Sequence, residues 1–395
     1  MGATYIKLGQ FIASSPTLFP PEYVMEFQKC LDATDPVPFT AIYKTIKEGL
    51  GGAGRVSRDF LYIDPEPLAS ASVAQVHRAK LATGEEVVLK VLKPGVEGVL
   101  QADLGFVYIA SRLLELFQPE LARTSFSAIL GDIRTAMLDE LDFAKEADNI
   151  DDFRQFLDKT GIAEATAPKV YRGLSSERVL VMERLRGVPL TDLEGIRGVS
   201  ADPEATLITA LNTWSLSVMM CDSFHADVHA GNLMVLEDGR VGFIDFGIVG
   251  RIPPRVWASL RQLSESLVLN DFRGVASALV QMGAADGEDV VDLDAFADGI
   301  ERVFTRLDTL QPAVGVDTVV DEDTGRVNVN TSLSMDQEEV TRLLLDMVGV
   351  AEDNGLKLPR EFGMLIKQAL YFDRYTRILA PGLDPLRDER ISLPQ

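Results

Sequence analysis

The chain has 395 residues, 46% hydrophobic and 25% charged, an ordinary globular composition long enough for two lobes with their own cores. It carries 60 Asp and Glu against 38 Lys and Arg, a net charge of −22. That balance excludes broad polyanion binding, so no nucleic-acid partner is expected, and any phosphate must be met in a local pocket of basic side chains and backbone amides.

Residues 1–50 read as helical, interrupted by Pro16, Pro20, Pro21, Pro36 and Pro38. Gly49-Leu50-Gly51-Gly52-Ala53-Gly54 matches the spacing of a dinucleotide fingerprint. An amphipathic pattern at Ile42, Ile46 and Leu50 precedes it, however, and strand-like sequence follows, so we read a helix C-cap and a loop. Three strands follow, Phe60–Asp64, Val73–Leu81 and Glu86–Leu92, as an antiparallel meander with Ala82-Thr83-Gly84 as one turn. Helical patterns at 99–118 and 126–157 and strands at Pro168–Tyr171 and Arg178–Glu183 complete a small mixed lobe over 60–185. Beyond 186, helical spacing recurs at 204–222, 254–269, 271–282, 293–308, 336–353 and 359–379. Residues 311–334 read as a surface excursion with a turn at 321–325. The most apolar stretch, Leu207–Phe224, carries Thr209, Asn212, Thr213, Ser215, Ser217 and Asp222, so it reads as a core helix rather than a membrane span. Cys30 and Cys221 lie far apart and imply no disulfide framework. No charged and apolar leader opens the sequence, and the expected location is intracellular, soluble or at a membrane surface.

Residues 225–247 carry the chemistry: His225-Ala-Asp227-Val-His229-Ala-Gly-Asn232, a hairpin turning at Glu237-Asp238-Gly239, then Asp245-Phe246-Gly247. An Asp, an Asn five positions on and a second Asp in Asp-Phe-Gly form the arrangement phosphoryl transfer needs. Asp227 would orient or deprotonate the attacking group. Asn232 and Asp245, brought to one end of the ribbon, would hold Mg²⁺ against nucleotide phosphates. His225-x-Asp227-x-His229 lacks the further ligands a zinc site needs, and orientation of the loop is the better role.

Lys90 is the lone charge in the apolar strand Val87-Val-Leu-Lys90-Val, and a buried lysine needs a phosphate and a carboxylate. The helix 126–157 offers Asp139, Glu140, Asp142 and Glu146. Asp142 and Glu146 lie one turn apart on one face while Glu140 points elsewhere, so Glu146 is paired with Lys90. The loop between the first two strands holds Ala69, Ser70, Ala71 and Ser72 and no glycine. Its backbone approaches phosphates less freely than a glycine loop, so it would bind nucleotide in a different pose. Val181-Met182-Glu183-Arg184-Leu185 falls where a lobe-joining hinge would bond adenine, although it also reads as a plain strand end.

With these residues assembled, the chain resembles the UbiB family of atypical kinases, also called aarF-domain kinases, over almost its whole length. Lys7-Leu-Gly9-Gln10 matches the family's Lys-x-Gly-Gln signature and Ala69–Ser72 its Ala-rich loop. Glu140-Leu-Asp142 matches its Glu-x-Asp motif, and Glu146 falls at its lysine-pairing glutamate. The resemblance implies an α+β, protein-kinase-like two-lobe fold. Its parts would be an N-terminal helical extension over the cleft (1–55), an N-lobe with inserted helices (56–185) and a mainly helical C-lobe (186–395). It further implies that Lys7 and Gln10 face Glu140, Asp142 and the phosphates, with ATP or ADP and Mg²⁺ as cofactors. The family is tied to coenzyme Q and other prenyl-lipid quinone biosynthesis, and occurs in bacteria, mitochondria and plastids. Quinone-biosynthesis proteins and a membrane surface are therefore expected partners.

After Asp245-Phe-Gly247, Ile248-Val-Gly-Arg-Ile-Pro253-Pro254 leads directly into a helix with no Ala-Pro-Glu match. There is little room for a peptide platform. A small molecule, a lipid headgroup or water is the expected acceptor. Two other readings stay open: a non-catalytic nucleotide-switched scaffold and a conventional Ser/Thr protein kinase.

Overall fold

The computed structural model describes residues 3–13, 34–117, 126–199, 202–221, 223–229, 231–252, 256–283, 291–309, 313–320, 327–334, 360–383 and 388–391, and a few shorter stretches. Helix α1 (Ala3–Ala13) packs on two helices of the first lobe, α4 (Val96–Phe117) and α5 (Phe126–Asp139). Helix α2 (Phe39–Gly49) ends at the predicted glycines, where Gly51 and Gly52 take positive φ of 83° and 108°. A short helix, α3 (Ala53–Asp59), follows where strand had been expected. A helix still precedes the glycines, so they form a helix–helix joint rather than a strand-to-helix nucleotide turn.

A four-stranded antiparallel sheet follows in the order β1-β2-β3-β5, built from β1 (Phe60–Ser70), β2 (Ala74–Leu81), β3 (Glu86–Leu92) and β5 (Val179–Glu183). Alternation along β3 separates two faces. Val87, Leu89 and Val91 are fully buried in a core shared with Ile42 and Ile46 of α2 and Val56 of α3. Lys90, between them, points to the opposite face. Strand β1 runs well past Asp64, through Pro65 and Pro67, because it is an edge strand whose register shifts between Ile63, Pro67 and Ala69. Proline is tolerated at such edges and bulges. Ala69 and Ser70 therefore lie in the strand, opposite Val76 and Gln75, and the loop shrinks to 71–73.

The helix expected over 126–157 is two helices. Helix α5 ends at Asp139 and α6 (Phe143–Thr160) begins after Asp142, whose carboxylate accepts the Ala144 N–H at 3.0 Å as an N-cap. Strand β6 (Gly187–Pro189) belongs to a second sheet, with β8 (Leu233–Leu236), β9 (Val241–Phe243) and β4 (Ala165–Thr166), in the order β4-β9-β8-β6. Residues 184–186 thus carry the chain from one sheet to the other, and β4 reaches across to the second sheet.

The remainder is mainly helical: α7 (Leu193–Val199), α8 (Pro203–Met220), α9 (Trp257–Val268), α10 (Phe272–Gly283), α11 (Leu293–Thr309) and α12 (Arg360–Leu379). Strand β7 (Phe224–His225) pairs with β10 (Val249–Gly250), bracketing the loop region. Within 311–334 the chain forms a regular antiparallel hairpin, β11 (Ala313–Val320) with β12 (Val327–Ser334). Its turn at 321–325 and most of the helix expected at 336–353 lie outside the described residues. Among the described residues, no helix is long and apolar enough to cross a membrane.

Candidate active site

The hairpin expected between the two chemical motifs forms. Leu233 pairs with Phe243, the Ile244 N–H donates to the Asn232 carbonyl at 2.9 Å, and Gly239 turns with φ of 84°. Asn232 and Asp245 are thereby fixed at one end of the ribbon. Asp245 has a φ of 60°, a left-handed conformation that Asp tolerates better than most residues. Its Oδ1 accepts the Gly247 N–H at 3.3 Å. Phe246 is buried against Phe153 of α6 and the His225 ring, and its carbonyl accepts from Asn149 Nδ2 at 3.1 Å.

Lys90 reaches this end from β3. Its Nζ donates to both Glu146 oxygens at 2.8 and 2.9 Å and to Asp245 Oδ1 at 2.9 Å. Desolvation opposes its charge, but the Asp245 and Glu146 carboxylates outweigh it, and its pKa is raised. The cluster holds one carboxylate more than it holds ammonium groups. Glu146, 4% exposed on the first turn of α6, is pushed up to about 7 by burial, with Lys90 opposing. Asp245, half exposed, is held well below the ordinary range, because Lys90 overcomes the cost of desolvation. The pairing of Lys90 with Glu146 expected from the sequence is present.

The break at Asp139–Phe143 overturns one expectation. Glu140 points into the site after all, because it lies in the kink between α5 and α6 rather than on a continuous helix. It makes an ion pair with Lys7 of α1, and its field reaches Asp245 and Lys90. Burial raises its pKa against the pull of Lys7. Asp142 serves as the N-cap of α6. Gln10 sits on α1, but its side chain lies outside the described residues. Glu183 is engaged with Lys169: its N–H donates to the Lys169 carbonyl at 2.8 Å, and its carboxylate accepts the Lys169 N–H at 3.1 Å. It therefore stands on the strand side of the lobe junction. At the end of β1 and in the short loop after it, the Ser70 and Ser72 hydroxyls are buried without a hydrogen-bond partner.

The loop carrying Asp227 is held from several sides. His225 is fully buried; its Nδ1 accepts the Asp227 N–H at 3.2 Å and its Nε2 faces the Ile244 carbonyl at 2.9 Å, which selects the Nε2–H tautomer. Burial lowers its pKa, consistent with a neutral ring. Both nitrogens are thus engaged in orienting the loop. Asn232 Nδ2 donates to the Asp227 carbonyl at 2.9 Å. That leaves Asn232 Oδ1 and the Asp245 carboxylate, at the same end of the ribbon, as hard oxygen donors of the type that suits Mg²⁺ rather than zinc.

Sequence reasoning missed the back wall, which α12 supplies. Gln368, fully buried, accepts the Val228 N–H at 2.8 Å and donates to the Ala226 carbonyl at 2.7 Å. Tyr375 donates to the Val228 carbonyl at 2.8 Å, and Lys367 Nζ lies 3.3 Å from Asp227 Oδ1. The available signal was a Lys-Gln pair on an otherwise apolar helix face, between Leu365 and Leu370.

Comparison with known proteins is consistent with this geometry. The model of the ABC1 atypical kinase-like domain matches residues 29–279. An aarF domain-containing protein kinase of Arabidopsis thaliana, named as chloroplastic, is 53% identical over 395 residues, covering 100% of this chain and 72% of the relative. A Mycobacterium tuberculosis protein is 33% identical over 393 residues, 99% of this chain and 75% of its own length. A Pseudomonas aeruginosa protein named "Probable protein kinase UbiB" is 33% identical over 296 residues, 74% of this chain and 55% of its own length. Among solved structures, an M. tuberculosis protein in complex with erythromycin superposes with a TM-score of 0.53 at 21% identity, covering 88% of this chain and 84% of the other. The architecture is α+β and kinase-like.

Proposed function

This chain belongs to the ABC1 family of atypical kinase-like proteins, the aarF and UbiB group, and from that premise we propose that it is a Mg²⁺-dependent, ATP-binding kinase or ATPase. The observation that carries the reading is the Lys90–Glu146–Asp245 cluster, with Asn232 and Asp227 fixed beside it. Positioning and charge neutralisation are what phosphoryl transfer asks of a protein, and this set can supply both.

In this reading ATP is the phosphoryl donor. Lys90 lies on its α and β phosphates, keeping Glu146 as counter-ion and releasing Asp245. Asn232 Oδ1 and the Asp245 carboxylate hold Mg²⁺, which when bound neutralises charge on the phosphates. The hydroxyls of Ser70 at the end of β1 and Ser72 on the glycine-free loop are candidate phosphate donors, and the 184–186 crossing is the expected adenine contact. Asp227 orients the acceptor oxygen and takes its proton. The acceptor is a small molecule, a lipid headgroup or water, because the segment from Gly247 to α9 is short and β10 is its one strand among the described residues, which leaves little room for a peptide platform. Family membership favours a role in prenyl-lipid quinone biosynthesis or homeostasis. The chloroplast name of the Arabidopsis relative favours a plastid-type pathway, with quinone-biosynthesis proteins and a membrane surface as partners.

The Lys7–Glu140 ion pair favours a second reading, a non-catalytic nucleotide-switched scaffold in which α1 stays docked over the site. Phosphate release from Mg-ATP, measured with and without liposomes and a soluble phenol and beside Asp245→Asn, separates the two. Turnover that vanishes in the variant supports the enzyme. Nucleotide binding with no turnover above the variant under any condition supports the scaffold.

A further inference from the structure

Lys367 stands outside the matched family domain, which ends at residue 279, yet its Nζ lies 3.3 Å from Asp227 Oδ1. Asp227 sits between two bases from different parts of the chain: His229 Nε2 is 3.5 Å from its Oδ2, and Lys367 from α12 is on its Oδ1. The lysine is not a flexible surface group. Its side chain is 21% exposed and Asp227's is 19% exposed. One turn on, the Tyr371 ring lies 5.8 Å below the ammonium. Helix α12 is anchored by Phe372 against Trp214 of α8, with ring centroids 5.4 Å apart, and by the fully buried Tyr375. Gln368 fixes the same helix to the loop backbone on both sides of Asp227, at Ala226 and Val228. The position of Lys367 relative to Asp227 is therefore set before any ligand arrives.

The charges around the site make this position consequential. Glu140, Glu146, Asp227 and Asp245 converge on it, Lys7 faces Glu140, and Lys90 lies between Glu146 and Asp245. An incoming triphosphate would meet Asp227 where its terminal phosphoryl group must pass the acceptor. Without a cation there, carboxylate and phosphate would repel each other at the point of transfer.

Resting on the ATP-dependent reading above, we propose that Lys367 is a catalytic residue whose ammonium contacts the terminal phosphoryl group of ATP beside Asp227. In the step, the bond from the terminal phosphorus to the β,γ-bridging oxygen breaks, and ADP leaves with the electron pair. The acceptor oxygen, of water or a hydroxyl compound, bonds to phosphorus and its proton passes to Asp227. Lys367 stabilises negative charge on the phosphoryl oxygens in flight and shields them from Asp227's field. The C-terminal helix thus completes the site from outside the matched domain.

The test compares full-length wild type, Lys367→Met, Lys367→Arg, Asp227→Asn and the Asp227→Asn/Lys367→Met pair, all checked for equal melting temperature. Phosphate release gives kcat and KM; equilibrium titration with Mg-ATP and Mg-ADP gives two dissociation constants. Lys367→Met is expected to lower kcat ~100-fold and to weaken Mg-ATP ~10-fold, with Mg-ADP unchanged. Lys367→Arg should restore part of both. The ATP-specific loss should persist in the Asp227→Asn background, where a lysine acting only by positioning Asp227 would have no further effect. Equal weakening of ATP and ADP, or loss of the effect without Asp227, would overturn the assignment. Wild type that binds both nucleotides without turnover contradicts the enzymatic reading alone, because the ATP-to-ADP comparison still decides whether Lys367 meets the phosphoryl group.

Discussion

Replacing Lys90 with Met removes the cation between two carboxylates while keeping the side chain's length. Leaving a buried charge without its partner typically costs roughly 3–5 kcal/mol. Two features of this site reduce that. The Glu146 carboxyl is already pushed up to about 7, so near neutrality it can take up a proton instead of standing as a bare charge. Asp245 has a side chain 48% exposed and can rehydrate. The expected loss is ~1–2 kcal/mol at neutral pH. Without Lys90 the folded-state pKa of Glu146 rises further above its unfolded value. A raised carboxyl contributes stability that is full below the unfolded pKa and declines as pH rises towards the folded one; both folded proteins hold the Glu146 proton below about pH 7, so the deficit of Lys90→Met is level there and grows as pH rises above about 7. Urea unfolding across that range measures it, and Glu146→Gln supplies the second side of a double-mutant cycle. In the Glu146→Gln background, Lys90→Met should cost less than ~1 kcal/mol and lose most of its pH dependence. A large, pH-independent loss that is the same in both backgrounds would refute the reasoning.

Gln368→Leu should cost ~2–4 kcal/mol in urea unfolding, because it strands the Val228 N–H and the Ala226 carbonyl in the interior; a loss below ~0.5 kcal/mol would show that the loop does not depend on α12. Gly187→Ala places a Cβ inside the Val235 carbonyl at the lobe junction, so β6 must leave β8. A melting temperature within the error of wild type would contradict that packing. His77 is fully buried with Nδ1 2.8 Å from the Asp64 carbonyl, and burial lowers its pKa. Its neutral form therefore supports stability above about pH 6.5, and this support is lost on acidification as the unfolded chain takes up the proton first. His77→Gln should flatten the acid limb of the stability–pH curve, and an unchanged limb would remove His77 from the account.

How much could be read in advance follows from how local each signal is. The Asp227, Asn232 and Asp245 ribbon was legible because a hairpin joins the residues that share the chemistry. Lys90 was legible because a lone charge in Val87–Val91 requires a partner, and Glu146 proved to be one. The kink at Glu140 is not visible when 126–157 is treated as one helix, which turns Glu140 away from the site, although Asp142 ahead of Phe143 is a residue type that caps helix N-termini. Strand β1 was cut short at Asp64 because Pro65 and Pro67 read as loop, while edge bulges absorb them. The Val-rich alternation of 313–320 was subordinated to its Asp and Thr content, and the hairpin there was missed. Lys367, Gln368 and Tyr375 reach the catalytic loop from more than a hundred residues away; the Lys367-Gln368 pair marks a polar interruption of the α12 face but does not say which loop it meets.

The central claim is that Asn232, Asp245 and Lys90 form one Mg-nucleotide site. Calorimetric titration of ATP into the wild-type chain and Asp245→Asn, with Mg²⁺ present and then removed by chelator, tests it most directly. The account predicts binding that requires Mg²⁺ in wild type and is strongly weakened in the variant. ATP binding that is unaffected by both chelator and substitution, or absent from wild type with Mg²⁺ in excess, would contradict it.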